Sequence, residues 1–477
     1  MFDQIKKLTG QTLIYGTGHI LARLVTFLLL PLYTNVFTAE EYGVISLAYV
    51  FLGFMGVVLH YGLDVSLMKK YVQSKGDERR AFLSSAYISL LITSFVFAVL
   101  VSLGKETLSP FILDGYYPTL MIYIGWIIFC DVLWSIPQLI LRAEEKPTKY
   151  IAFSLANVIS TMALNLVFVL KLKMGIEGVL LSNLIVSGSL FLISSPIVLK
   201  RFSFHLISGK HWRQLMTFGL PFLPAGIFSM IMEIADRYVL KWLTDMETVG
   251  LYSAGYKIGM LMMLVVMGFN MGWQPFFLKA GKSQKEVFSR ITTYVLAITG
   301  FLWLLLYIWV DNIVRINIGG ISFYGESFWP STAIVPVIAL GYWFHGVYIL
   351  QVPGMYLQEK SRSLMWVRAT GAFTNILLNF ILIPIYGAMG AAWATCASFA
   401  AMAFLIFFMN VQSFPVEYEW GRITRVIISI MMVFAMGFTM EATWVNKLIL
   451  SFSFPVILYF TGFLTANEQR HIQRIFR

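Results

Sequence analysis

Residues 229–243 read SMIMEIADRYVLKWL, an apolar run that contains Glu233, Asp236 and Arg237. Glu233 and Arg237 are four residues apart, the spacing at which two side chains meet on one helix face. They are therefore expected to pair. Asp236 projects about 100° away and needs another partner, which Lys257 in the next apolar run could supply. A second constellation lies further upstream. Arg23 stands near the middle of its apolar run, with His19 four residues before it and Tyr15 a turn beyond. Asp131 is the lone acid of another run, and Asp64 sits near the end of one. The chemistry open to these groups is ion pairing and gating, and for Asp131 the holding of a proton or a cation. Each has a plainer reading: an interhelix pair for Arg23, a hydrogen bond for neutral His19, a rim cluster of ion pairs for Asp236 and Arg237.

The elements that must hold these charges are apolar helices. The chain has 477 residues, 58% hydrophobic and 12% charged, against about 25% charged in an ordinary globular protein. Fourteen apolar stretches recur, most of them long enough for the roughly 18 residues that cross hydrocarbon. They are numbered here as spans 1 to 14: 12–35, 41–66, 81–103, 116–141, 150–170, 176–199, 215–243, 249–278, 291–310, 328–357, 365–386, 388–410, 425–440 and 447–464. The fold class is all-α and membrane-integral. Span 1 is too long for a signal sequence and lacks a small-residue cleavage pattern, so it is expected to stay as a helix. A charge near mid-bilayer costs about 3 kcal/mol on insertion scales, so Arg23 is expected to face a cavity or a partner.

The net charge of +11 reflects topology and does not imply a nucleic-acid partner. With the N-terminus inside, and with Arg368 and Arg425 counted with the adjoining inner loops and Lys241 and Lys447 with the outer ones, 26 of the 35 Lys and Arg residues fall on the cytoplasmic side, 6 outside and 3 within spans. The inner loops include KKYVQSKGDERR (69–80), RAEEKPTK (142–149), KRFSFHLISGKHWRQ (200–214) and KAGKSQKEVFSR (279–290). This excess places both termini in the cytoplasm and predicts attraction to anionic lipid. Span 7 then runs outward, with Glu233 beyond its midpoint and Asp236–Arg237 in its outer third. Cys130 and Cys396 fall inside spans and read as small apolar packing residues.

The chain also echoes itself. EYGVISLAY (41–49) matches TVGLYSAGY (248–256) at Gly43, Ser46 and Tyr49 against Gly250, Ser253 and Tyr256. Glu145-Lys146 recurs as Glu359-Lys360, Asn165 as Asn379, and GIEG (175–178) as GAMG (387–390). The shared spacing predicts a duplication of six helices related by an axis along the membrane normal. The expected organisation is an N-terminal lobe (1–199), a second lobe (200–410), then two extra helices with a basic tail (411–477). Helix breakers punctuate GLPFLPAG (219–226), Pro275 and Pro353; the first marks span 7 as a bending element or a static kink.

Several chemistries are excluded by spacing. GKS at 281–283 resembles the end of a phosphate-binding loop, but the earlier glycine it requires would stand at Phe276. No HExxH or clustered Cys/His spacing suggests a metal. The longest outer loops, 104–117 and 311–327, leave little room for a catalytic domain, so no enzymatic activity and no cofactor are expected.

ADRYVLKWLTDMETVGLYSAGYK (235–257), LLLPLYTNVFTAEEYGVISLAYVF (28–51) and LNFILIPIYGAMGAAWAT (378–395) closely resemble the signatures of bacterial polysaccharide-biosynthesis exporters. These are the O-antigen and lipid-linked oligosaccharide flippases of the multidrug/oligosaccharidyl-lipid/polysaccharide exporter superfamily. The resemblance implies a V-shaped, two-lobed transporter of the bacterial inner membrane, moving polyprenyl-diphosphate-linked oligosaccharide outward by alternating access. Arg23, His19, Arg237 and Lys257 would then offer charge-assisted hydrogen bonds to the diphosphate. Glu233, Asp236 and Asp131 would gate the cavity or couple it to a proton or sodium gradient. The lipid tail would follow a groove near spans 13 and 14. The implied partners are the lipid-linked glycan, membrane lipids, and the polymerase and glycosyltransferases of the same pathway. Three alternatives stay open: a lipid II flippase, a cation-coupled multidrug exporter of the same superfamily, and a membrane glycosyltransferase.

Overall fold

The structure is a computed structural model that describes residues 27, 29–358, 360–464 and 468. Tyr15, His19, Arg23 and Glu359 lie outside the described residues, as do residues 469–477 of the tail. The described chain is almost wholly helical. Its helices are α1 (Leu30–Val36), α2 (Ala39–His60), α3 (Leu63–Gln73), α4 (Gly76–Leu103), α5 (Lys105–Leu113), α6 (Pro118–Ala143), α7 (Pro147–Asn165) and α8 (Gly175–Leu199). They continue with α9 (Gly209–Gly219), α10 (Leu223–Leu243), α11 (Met246–Gly259), α12 (Leu261–Ala280), α13 (Lys285–Val314), α14 (Val335–Tyr356), α15 (Ser361–Ser413), α16 (Trp420–Thr439) and α17 (Trp444–Phe460). Between α13 and α14, β1 (Asn317–Ile318) pairs antiparallel with β2 (Ile321–Ser322).

Eleven helical segments among the described residues are long and apolar enough to cross a bilayer, and α17 is a shorter apolar helix. One segment, Arg362–Ser413, runs 52 residues. Straight, it would measure about 78 Å, more than twice the hydrocarbon thickness. It turns at Gly387, whose φ of 55° lies in the left-handed region, so spans 11 and 12 are the two arms of α15. Each of spans 2 to 14 falls on described helix, and α1 is the end of span 1. Spans 7 and 8 are each divided between two helices (α9 and α10, α11 and α12), and span 2 runs past α2 into α3.

Local sequence explains where these helices start and stop. α2 opens on a capping box: the Glu41 N–H donates to Thr38 Oγ1 at 3.2 Å, and the Thr38 N–H donates to Glu41 Oε2 at 2.9 Å. It ends at His60, earlier than the expected limit of 66, because Tyr61 and Gly62 both turn left-handed. Span 7 divides as the 219–226 stretch predicted. A 3-10 turn at Leu220–Phe222 separates α9 from α10, where Pro221 has no N–H to continue the ladder.

The chain falls into two compact units. The first holds the described residues up to Ala254 together with Gly325–Phe328 and Asn375–Ala391. Within it α6 packs against α8 and α4, α2 against α10, and α3 against α9. The two echoed motifs touch here. A Cβ on Gly43 would meet the Met246 carbonyl at 2.5 Å and the Gly250 nitrogen at 3.3 Å, and a Cβ on Gly250 would strike the Ala39 carbonyl. Small residues that let helix backbones approach are the usual glue of membrane bundles.

The second unit holds Gly255–Tyr324, Trp329–Thr374 and the described residues from Ala392 onward. Its core gathers Trp273, Phe277, Phe288, Leu350 and Phe414. α17 is fastened to α13 by Trp309 Nε1 donating to Ser451 Oγ at 2.9 Å and by stacked Phe301 and Phe454. Many large apolar side chains stay outside both cores, among them Leu100, Leu103, Phe452 and Phe460. In water such a surface would be a liability; against lipid it is the expected exterior.

Candidate functional site

α10 carries its charges into the interior of the first unit. Asp236 is wholly buried and Arg237 nearly so. The guanidinium donates from Nη1 to Asp236 Oδ1 at 2.7 Å and to the Glu233 main-chain carbonyl at 2.6 Å. The Arg237 N–H donates to the same Oδ1 at 2.9 Å, and the Tyr252 hydroxyl donates to Oδ2. The Tyr252 ring also faces the guanidinium, 5.4 Å from its central carbon.

This geometry changes two sequence expectations. The ion pair of Arg237 is with its neighbour Asp236, and Glu233 meets the guanidinium through its carbonyl, because the long arginine side chain folds back over its own helical turn. The second partner of Asp236 is Tyr252, in place of the suggested Lys257, which belongs to the second unit. Tyr252 escaped a search for charges because a neutral phenol in an apolar helix resembles packing. Its signal was the need of Asp236 for a donor one helix away. One turn further along α10, Lys241 is also buried. Its ammonium donates to the carbonyls of Phe111 at 2.5 Å and Pro110 at 3.2 Å and lies 3.6 Å from Asp114.

Asp131 has a separate setting. Its carboxylate accepts from Trp134 Nε1 at 3.1 Å. One turn away, His60 Nε2 is 2.9 Å from Ser135 Oγ and its Nδ1 is 2.6 Å from the Gly56 carbonyl. The His60–Ser135 contact ties α2 to α6. Asp64 lies exposed in the first turn of α3. Of the candidate residues, the structure thus brings Glu233, Asp236 and Arg237 together and gives Asp131 its own network.

A third charged centre was missed in the sequence. Glu144, at the end of α6, accepts from Tyr71 at 2.8 Å, from Lys146 at 2.6 Å, and from both Nε and Nη2 of Arg201 at 2.9 and 2.8 Å. Partial burial pushes its carboxyl up, but the bonds from Lys146 and Tyr71 and the charge of Arg201 outweigh that and hold it below the ordinary value. Burial and the neighbouring Glu144 push the Tyr71 phenol up to about 12. The preceding loop motif drew attention to Glu145-Lys146; the ligand of the hub is one residue earlier.

The second unit contains an apolar cavity of about 390 Å³ lined by Trp303, Trp343, Phe344, Trp393, Ile430 and Phe434 among others. Its wall includes α16, which is span 13.

Residues 8–280 match the family model described as polysaccharide biosynthesis protein. A protein of the Lsg locus of Haemophilus influenzae is 25% identical over 317 residues, covering 61% of this chain and 71% of that protein. Among solved structures, the lipid II flippase MurJ in an inward closed conformation superposes with a TM-score of 0.76 at 17% identity, over 98% of this chain and all of that one. A multidrug resistance MATE family transporter of the MOP superfamily, in an inward-facing conformation, gives 0.62 at 13% identity, over 88% and 96%. At such identities the likeness is one of fold. A match to more than half of the chain establishes the family. The chain is a multi-pass membrane protein of the polysaccharide biosynthesis protein family, with the fold shared by MurJ and the MATE transporters.

Proposed function

We propose that this protein is a flippase that carries polyprenyl-diphosphate-linked oligosaccharide from the inner to the outer leaflet of the bacterial inner membrane for cell-surface polysaccharide assembly. The observation that carries the reading is the Asp236–Arg237–Tyr252 network, an ion pair buried on a membrane-crossing helix. Replacing such a pair by apolar residues is often neutral or stabilising, and charges retained inside a membrane segment mark a transport pathway by default. The family match supports a glycan-related cargo; alternating access would run between the lobes 1–199 and 200–410, with both termini cytoplasmic by the positive-inside charge bias.

In this reading the diphosphate competes with Asp236 for Arg237. Arg23, His19 and Lys257 supply further donors, and charge-assisted bonds offset the lost hydration of the phosphates. Asp236, released from Arg237 but still bonded by Tyr252, becomes free to take a proton or a sodium ion, as Glu233 and Asp131 could. Departure of the cargo then restores the internal pair and resets the site. An inside-negative potential favours the outward step by about 2.3 kcal/mol per charge per 100 mV. The protein's task is therefore to lower the barrier. The aromatic cavity beside α16 suits an isoprenoid chain. No catalytic step is part of this mechanism.

The test is transbilayer movement of a fluorescent polyprenyl-diphosphate glycan in proteoliposomes, comparing wild type with Arg23→Ala and Arg237→Ala. Transport by wild type that collapses in both normally inserted variants is the expected result. Equal transport by all three would remove these cations from the mechanism. Movement of lipid II in place of the glycan, or protection from unfolding by cationic drugs alone, would overturn the substrate assignment.

A further inference from the structure

α3 and α9 enclose a groove of about 880 Å³ into which Lys69, Lys70, Lys210 and Arg213 converge. No acidic residue among the described ones lines it. Among the described residues none of the four cations forms an ion pair with a carboxylate. Four neighbouring cations with no carboxylate partner among the described residues repel one another weakly through water, and an anion placed among them relieves that repulsion.

The groove is built to hold its shape. Its two helices meet backbone to backbone where a Cβ on Gly62 would strike the Gly219 carbonyl and one on Gly219 would lie 2.5 Å from that of Gly62. The Lys69 ammonium is held 3.8 Å from the centre of the Phe218 ring, and that of Lys70 5.3 Å from Phe82. Such cation–π contacts limit the wandering of otherwise flexible side chains. Arg213, on the facing helix, adds a planar fork suited to phosphate oxygens.

Its position points to a membrane ligand. α3 follows the candidate span α2 directly, and α9 opens the candidate span Gly209–Leu243, so the groove stands at the ends of two candidate spans. Beside it Trp212, Leu220 and Phe222 are 43%, 50% and 44% exposed. An amphipathic helix with basic residues and exposed aromatic and aliphatic side chains is characteristic of the lipid interface. We propose that this groove is a site for the phosphate headgroup of an anionic phospholipid, its acyl chains lying against the apolar flank of α9 and α10. The site is independent of the glycan-flipping reading and stands or falls separately.

The full chain in neutral detergent is titrated with phosphatidylglycerol, phosphatidylcholine or inorganic phosphate while its melting temperature is followed. A ligand that binds only the folded state must raise it. Phosphatidylglycerol is expected to act saturably and phosphatidylcholine not at all. At about five-fold per basic residue, Lys69→Gln/Arg213→Gln should weaken phosphatidylglycerol about 25-fold. The charge-conserving pair Lys69→Arg/Arg213→Lys should retain it, as should Lys282→Gln/Arg290→Gln in another basic loop. Equal weakening by the second glutamine pair would reduce the effect to diffuse charge and overturn the site. Inorganic phosphate binding as tightly as the lipid would overturn its assignment to the membrane. No weakening in the groove variant would overturn both.

Discussion

Around Asp236 in α10 a cation is buried together with its counter-charge; between α3 and α9 four cations have no carboxylate partner among the described residues. The contrast follows from the solvent each region meets. In a low-dielectric interior an unpaired charge costs several kcal/mol, so Arg237 is supplied with Asp236, the Glu233 carbonyl and the Tyr252 ring from within the chain. At the interface water screens the repulsion, and the counter-charge can come from the membrane. A protein charge that already has an internal partner must exchange it to bind cargo. One without a partner can bind directly.

The largest test of the comparison is Asp236→Ala. It removes the carboxylate of a buried guanidinium and should cost about 3–5 kcal/mol, seen as a large fall in melting temperature in detergent. The double replacement Asp236→Leu/Arg237→Met removes both charges and should recover much of that stability while transport stays lost. A double variant that still transported would break the idea that the pair serves the cargo. Tyr252→Phe comes next. It leaves the pair but withdraws a hydrogen bond to a charged oxygen, at about 1.5–3 kcal/mol, measured the same way.

Gly219→Ala carries the comparison to the groove. A methyl directed at the Gly62 carbonyl should cost about 1–3 kcal/mol by overpacking, and by parting α3 from α9 it should also blunt stabilisation by phosphatidylglycerol. Glu144→Gln is intermediate in kind, since its carboxylate is partly exposed and so are its charged partners Lys146 and Arg201. It should cost no more than about 1 kcal/mol at neutral pH. Because the folded carboxyl is held below its ordinary value, this contribution is complete above the unfolded value and disappears as pH falls through the folded one. Melting temperatures of wild type and Glu144→Gln should therefore converge in acid. Smallest of all, Lys69→Gln without lipid should shift stability by no more than about 0.5 kcal/mol. A large loss there would show that the groove cation is structural.

The sequence by itself determined the solvent, the run of apolar spans, the irregularity within 219–226 and the match of Gly43 to Gly250. These features depend on composition and local geometry. Hydrocarbon demands long apolar stretches with their backbone satisfied internally, and proline and glycine act on the residues beside them. Only the tertiary structure decided who pairs with whom. Spacing allowed Glu233 and Arg237 to meet on one face, but the rotamer of Arg237 and the arrival of Tyr252 from α11 gave the carboxylate role to Asp236. The hub at Glu144 joins Tyr71, Lys146 and Arg201 from three parts of the chain, which no one-dimensional period can register. The groove was equally hidden: Lys69–Lys70 and Lys210–Arg213 read as two basic loops facing the cytoplasm. Their convergence depends on a glycine contact between residues 157 positions apart, Gly62 and Gly219. Periodicity tells which face a residue occupies, whereas the partner across that face is set by how the helices pack.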